Sequence, residues 1–542
     1  MSARTSELEA PLPLQAQTGA GPAGGVIDAP LEGLTPAPWL VRLLAWISVN
    51  RADAIALVVA LVPTIAVHAW GMWRYPAFFD DEGDYVSQAY AVDKLHTLSP
   101  YTYWYDHPPL GWILLGGWAK LVPMFSSTSS AIVSARAFIL LLFLLSAALL
   151  YGIARRMSLS PALSGLAVAL FGLSPLAVNY QRMVLLDNLA TPWLLAAIFL
   201  ALTPRRRLLA YGGSAVCMAA AVLTKETFLL FLPAVTVAIW TTCPRSTRRF
   251  AIAVFLAVTA CIGSFYPLFA LLRGELLPGR HHTSLLAGVE FQLSRVGGGS
   301  LFDSHSATWH LVQGWLRLDP VLLACAVTLV VPLLAIRRLR WVGVALAVPI
   351  FMALRPGSYV PAMYLIGFLP FAALGLAALS GETAAWSRDE RHPALLRTAA
   401  AVAAIVVLAV PSGIAAARWI PKDASMMRTN DARGDRSAVD WLAAHAPRSS
   451  RILVDAGIWT DLVDRGFDRH RVIWFYKLDL DPSVSTPWWQ FDYVVRSNVL
   501  ADNLGWLPRS RTVYDHSRII AVFATKNETI EIRRVVKPRT TG

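Results

Sequence analysis

Between residues 78 and 85 the chain reads Phe78-Phe79-Asp80-Asp81-Glu82-Gly83-Asp84-Tyr85, which puts four carboxylates within five residues. Carboxylates packed this closely repel one another, so some hold a proton more tightly and one is equipped to take a proton from a hydroxyl. The same grouping suits a cation. A plainer reading competes: acids favour the first turn of a helix, and Tyr85, Ala89, Val92 and His96 fall at the spacing of an interfacial amphipathic helix.

A second group follows at Tyr101-Thr102-Tyr103-Trp104-Tyr105-Asp106-His107-Pro108-Pro109. The two prolines fix the backbone after Asp106 and His107 and remove two N–H donors, so this pair sits in a rigid, extended turn. The aromatic residues before it suit either a sugar face or the headgroup layer. Farther on, Arg182 precedes Leu185-Leu186-Asp187, and Thr224-Lys225-Glu226 interrupts two apolar runs. A charge held deep in the membrane costs on the order of 2.5–3.5 kcal/mol near a helix centre and less toward its ends. These residues are therefore functional candidates, although Lys225 and Glu226 could simply pair with each other. Arg182, Lys225 and His107 together could neutralise a phosphate at the membrane surface.

The elements that must position these groups are apolar. Of 542 residues, 56% are hydrophobic and 15% charged, and the mean hydropathy is +0.50. A soluble chain carries roughly a quarter charged residues, so a soluble enzyme and a disordered scaffold are excluded. Apolar runs near 55–72, 131–153, 162–178, 189–203, 208–223, 227–242, 250–272, 320–336, 341–354, 360–380 and 398–417 predict a polytopic α-helical membrane protein of about eleven spans. The net charge of +13 comes from short basic clusters: Arg155-Arg156, Arg205–Arg207, Arg245/Arg248/Arg249, Arg337/Arg338/Arg340 and Arg388/Arg391/Arg397. All occupy loops of one parity, which the positive-inside rule makes cytoplasmic, so nucleic acid is not needed to explain them. The N-terminus is then cytoplasmic, and the acidic loop 74–130 and everything after about 419 lie outside.

Residues 1–37, rich in Ala, Pro, Gly and Thr, read as a disordered cytoplasmic tail; 38–418 read as the transmembrane domain. Residues 419–542 read as an extracytoplasmic α/β module, with a helix at 437–445 and strands near 451–454, 472–476, 493–495, 519–523 and 530–535. The first strand is followed by a single glycine, Gly457, so no dinucleotide fingerprint is present. Cys217, Cys243, Cys261 and Cys325 lie in or beside apolar runs without a CxxC pair, which argues against a zinc site or disulfide framework.

Taken in order, Asp81-Glu82, Asp106-His107-Pro108-Pro109-Leu110 and Arg182 with Leu185-Leu186-Asp187 resemble the motifs of protein O-mannosyltransferases, within the wider GT-C glycosyltransferases. Asp81-Glu82-Gly83 with Tyr85, and Lys225 in its Thr-Lys turn, are also similar to the lipid A aminoarabinose transferases; those carry Glu-Lys before the two prolines, where this chain has Asp106-His107. The resemblance covers residues from about 50 to 235, and the α/β module matches neither group.

The resemblance implies a plasma (inner) membrane enzyme that moves a hexose or pentose from a polyprenyl-phosphate donor to a hydroxyl on protein, lipid or polysaccharide, with inversion. It implies Asp81 as the catalytic base beside Glu82, and a donor phosphate held by Arg182, Lys225 and His107. Asp80, Asp84, Asp106 and Asp187 would be supporting charges. Whether a divalent metal sits at Asp81 and Glu82 is left open, and no other cofactor is implied. Two other classes compete: a transporter or flippase of a lipid-linked sugar, whose charges should line the bilayer midplane, and a non-catalytic receptor or assembly factor working through the α/β module.

Overall fold

The computed structural model describes residues 48–126, 130–203, 207–279, 282–355, 357 and 359–538. The expected tail at 1–37, Arg205 and Arg206 lie outside them. From Ala52 onward the chain forms one compact unit.

Each of the eleven apolar runs is helical, but they are not equal in length. Among the described residues five stretches are long and apolar enough to cross a membrane: Arg51–Ala69, Ala131–Arg156, Arg248–Leu272, Ala362–Ser387 and the stretch from Ala394. A sixth arises if Ala307–Leu318 and Pro320–Ala335, which meet at 112°, form one broken span. The bend has a local cause: Asp319 caps the second helix by accepting from the N–H groups of Val321 and Leu322, at 2.9 and 3.1 Å. The other apolar helices have 10–17 residues, which at 1.5 Å per residue is shorter than a hydrocarbon core of about 30 Å. The run at 162–178 is cut after Gly172, where Ser174-Pro175 starts a new helix.

Burial sorts the long helices by place. In Ala362–Ser387 83% of the apolar window is buried, so this helix is the centre of the bundle; it is hydrophobic all round, as a fully enclosed helix must be. Arg248–Leu272, with 11% buried, is on the periphery. The last long helix, Ala394–Arg428, runs without interruption through residue 418, so the bundle passes into the C-terminal module as a continuous rod.

We label the elements that position the site as α1 (Arg51–Ala69), α2 (Asp80–Tyr90), α3 (Leu110–Ala119) and α4 (Ala131–Arg156). In the module they are α5 (Arg433–His445), α6 (Ala456–Asp464) and α7 (Phe475–Leu480), with strands β1 (Ile452–Val454), β2 (Val472–Trp474), β3 (Tyr493–Arg496), β4 (Ser517–Ala524) and β5 (Thr529–Val535). The sheet order is β2-β1-β3-β5-β4. β1 runs parallel to β2 and β3, with Leu453 opposite Ile473 and Val494. β5 is antiparallel to β3 and to β4. The expected strand at 472–476 ends at Trp474, because Phe475 opens α7. That early turn is what brings residues 476 and 477 to the site.

The module is sewn onto the acidic loop. α6 lies on α2 so closely that a Cβ added to Gly83 would stand 2.2 Å from the backbone carbon of Ala456. Only glycine fits there. Ser87 and Thr460 hydroxyls meet at 3.1 Å, and Asp461 accepts from the Ala131 N–H at the start of α4, at 2.8 Å. Thr102 donates to Asp481 from its backbone and its side chain, at 3.1 and 2.9 Å. Tyr90 and Tyr101 pack against Trp459 of the module's core.

Candidate active site

The acidic run forms the first turn of α2, and its four carboxylates are treated very differently. Glu82 is fully buried and accepts four hydrogen bonds. They come from Arg136 Nε (2.9 Å) and Nη2 (2.6 Å), the Val184 N–H (2.7 Å) and the Phe79 N–H (3.1 Å). A carboxylate offers about four lone-pair sites, so Glu82 has none left for a proton or a metal. Arg136 is equally saturated: besides Glu82 it donates to the carbonyls of Met72, Pro76 and Ala77. The pair therefore clamps the chain entering α2 onto α4. The geometry thus opposes the expectation of Glu82 as a catalytic or metal-holding carboxylate, because its charge is already spent on Arg136.

Asp81 is left free by this clamp. It is partly exposed, and Lys225, His107, Arg295 and Asp106 face it electrostatically. Burial raises its proton affinity above the usual carboxylate value, and Lys225, His107 and Arg295 pull it back. Asp80 and Asp84 are pushed up further. Burial acts first on both; Asp84, Asp455 and Asp81 then repel Asp80, while Asp81, Asp106 and Asp455 repel Asp84. One residue in the acidic run is thus balanced between a dry environment and a cationic wall, as a general base must be.

The cationic wall is built by the turn before Pro108. His107 is held through its carbonyl, which accepts from the hydroxyls of Tyr103 (2.7 Å) and Tyr266 (3.1 Å). Its Nδ1 lies 3.0 Å from Glu226 Oε2, and its Nε2 lies 3.0 Å from Lys225 Nζ. Lys225 Nζ also lies 3.3 Å from Nδ1, so the ammonium is shared between both ring nitrogens. Lys225 is 4% exposed. Asp187 is also buried and shares the neighbourhood of Lys225, Glu226 and His107.

Arg182 is placed elsewhere. It donates to the carbonyls of Val67, Trp70 (3.0 Å) and Tyr75 (3.2 Å), closing the C-terminal end of α1. The structure thus brings His107 and Lys225 to Asp81 and sends Arg182 to the backbone. Asp106 stays beside Asp81 and Asp84, with its carbonyl accepting from Gln292 at 3.0 Å. Among the described residues no group of three or more His, Cys, Asp or Glu side chains is arranged to hold a metal.

Three residues that face these carboxylates were not singled out from the sequence. Arg295 precedes Val296 and a run of three glycines in the long loop after residue 273 and stacks over Tyr359 at 4.3 Å; that loop also carries Arg273, Arg280 and Arg317, so nothing in the sequence marks Arg295 out. Tyr476 and Lys477 enter from α7 of the module and face Asp80, Asp81 and Asp84, and Asp84 and Asp106, respectively.

The fold can be compared with solved structures. ArnT from Cupriavidus metallidurans bound to undecaprenyl phosphate superposes with a TM-score of 0.54, covering 91% of this chain and 98% of its own at 16% identity. The chain has the GT-C glycosyltransferase fold. The Archaeoglobus fulgidus oligosaccharyltransferase in the apo form shares this GT-C fold with a TM-score of 0.50, at 12% identity over 90% of this chain and 75% of that one. The same archaeal enzyme tethered with an acceptor peptide gives 0.50 over 92% and 76%, also at 12% identity. The family model described as dolichyl-phosphate-mannose-protein mannosyltransferase matches residues 106–269. That segment includes His107, Arg182 and Lys225 and begins after the acidic turn. A sequence comparison with curated proteins finds no match.

Proposed function

We propose that this GT-C protein is an inverting glycosyltransferase that uses a polyprenyl-phosphate sugar and works at the outer face of the plasma membrane. The observation that carries the reading is the pairing of one unclamped carboxylate, Asp81, with a wall of Lys225, His107 and Arg295. Support for the lipid carrier comes from ArnT, which shares the fold and binds undecaprenyl phosphate.

In the reaction, Asp81 takes the proton from the acceptor hydroxyl. The hydroxyl oxygen forms the new bond to the anomeric carbon while the bond from that carbon to the phosphate oxygen breaks. The phosphate leaves with the electron pair as polyprenyl phosphate, and attack from the opposite side inverts the anomeric centre. Lys225 and Arg295 neutralise the phosphate as its charge develops, and His107 fixes the position of Lys225. Glu82 acts through the clamp that orients the start of α2.

The divided roles of the two basic residues are testable. Lys225→Ala should weaken binding of undecaprenyl phosphate about tenfold or more, since a hydrogen bond to a charged group is worth about 1.5–3 kcal/mol. Arg182→Ala should instead lower thermal stability and leave the lipid affinity of the folded fraction close to parental, because it orphans carbonyls at the end of α1. Equal loss of lipid affinity in both variants would restore Arg182 to the phosphate site.

Orientation is a separate element of the proposal. In a background lacking Cys217, Cys243, Cys261 and Cys325, a membrane-impermeant thiol reagent applied outside should label Asp440→Cys and spare Arg338→Cys. Both positions have side chains more than half exposed, at 65% and 79%, so access depends on sidedness. The reverse pattern would invert the topology.

A further inference from the structure

The Lys477 ammonium has no hydrogen bond or ion pair to a described residue, although carboxylates face it from three elements. These are Asp84 on α2, Asp106 in the loop before Pro108, and Asp481 just after its own helix. Asp481 is already occupied by Thr102 and Ser483. What holds the ammonium is aromatic: it stands 3.9 Å from the Trp104 ring centre, with Trp474 and Tyr101 rings at 5.7 and 6.0 Å. An ammonium has three N–H donors, and a quadrupole satisfies none of them as a hydrogen-bond acceptor would.

Unpaired acceptors face Lys477 or its neighbour Tyr476: Asp84 faces the ammonium, and Asp80 and Asp455 face Tyr476. Asp80 Oδ1, Asp84 Oδ1 and Asp455 Oδ1 are buried without a partner, and Asp455 is only 7% exposed. Tyr476, one residue before Lys477, faces the same acids. Half-buried donors beside buried acceptors that lack a partner suit a ligand able both to accept and to donate. A hydroxyl donates one hydrogen bond and accepts two, and a run of hydroxyls on a small rigid frame would satisfy several of these atoms at once. A serine or threonine side chain brings only one hydroxyl. A phosphate would meet Lys477 well but would be repelled by Asp80, Asp84, Asp106 and Asp455.

We infer that Lys477 and Tyr476 of the C-terminal module, together with Asp84 and Asp106, form an acceptor subsite for a polyhydroxylated ligand, that is, the sugar end of a glycan or glycolipid. The inference deepens the transfer reading and rests on it for the word acceptor, but the saccharide site itself does not. It also gives the module a role in the chemistry. The Gly83 contact and the early turn at Phe475 carry α7 to the catalytic helix, so the subsite exists only while the module is docked.

The test uses the full chain in lipid nanodiscs and two probes, undecaprenyl phosphate and a panel of methyl hexosides and pentosides, with a threonine-containing peptide as the competing class. Saturation-transfer NMR should detect at least one glycoside on the parent. Lys477→Met should weaken it about tenfold and leave undecaprenyl phosphate binding unchanged; Lys477→Arg should recover part of the loss. Tyr476→Phe, which keeps the ring packing, should weaken the glycoside less and guards against a folding artefact in the lysine variant. Glycoside binding that is indifferent to both substitutions, or binding of the peptide with none of any glycoside, would overturn the inference. Lys477-dependent glycoside binding without undecaprenyl phosphate binding would uphold the subsite and remove the transfer reading.

Discussion

Replacing Asp81 with asparagine should cut sugar transfer by about 10²–10⁴-fold, the range a positioned general base contributes, while polyprenyl-phosphate binding stays near parental. Asparagine keeps the shape of the side chain and cannot accept the proton. Lys225, His107 and Arg295 remain to hold the phosphate. Asp80→Asn should cost far less, because Asp80 faces the carboxylates of Asp84, Asp455 and Asp81 and not Lys225, His107 and Arg295. The pH dependence carries the same signature. Burial raises the proton affinity of Asp81, so the base is filled with a proton, and the rate falls, as pH drops through a value above the ordinary carboxylate range. In Asp81→Asn the residual rate should lose this acid limb. A residual rate that keeps it would place the titrating base elsewhere in the acidic turn.

Glu82→Ala should destabilise the fold by about 3–5 kcal/mol, the usual result of removing one partner of a buried ion pair. Both side chains of the Glu82–Arg136 pair are 0% exposed, and their closest N···O distance is 2.6 Å. The variant leaves a buried guanidinium without its counter-charge and also strips acceptors from the Val184 and Phe79 N–H groups. Thermal unfolding in detergent should show the loss, and protease should cut the acidic loop sooner. Glu82→Gln keeps one of the two acceptor oxygens and the volume of the side chain, and should lose less stability than the alanine variant. If Glu82→Ala melted like the parent while transfer was abolished, Glu82 would belong to the chemistry and not to the clamp.

The helices and the strands were legible because each depends on local pattern. Apolar runs stay helical whatever surrounds them, and the five β-rich segments were separated by turn residues. Asp81, His107 and Lys225 could be picked out as candidates for a related reason: charged residues next to apolar runs stand out one at a time. What the residues did not disclose was partnership. Arg136, 54 positions from Glu82, reads in sequence as an ordinary charge at the start of a span. Arg182 looked like a phosphate ligand because nothing local reveals that the carbonyls at the end of α1 need a donor. The docking of the module at Gly83 is a tertiary event, and it alone brings Tyr476 and Lys477 to the acids. Span count was the other weak point. Apolarity marks a run as buried, but it does not separate a lipid-crossing helix from a short one inside the bundle.

The most direct test of the central claim is to follow one loaded donor through a single turnover. The parent, Lys225→Ala and Asp81→Asn proteins are reconstituted with a polyprenyl-phosphate sugar and an acceptor glycan extract. Mass spectrometry then counts intact donor and freed polyprenyl phosphate bound to each. The account predicts that the parent converts donor to free polyprenyl phosphate in step with glycosylated product, that Lys225→Ala captures little donor, and that Asp81→Asn captures donor normally and keeps it intact. Release of polyprenyl phosphate by Asp81→Asn at the parental rate would contradict it.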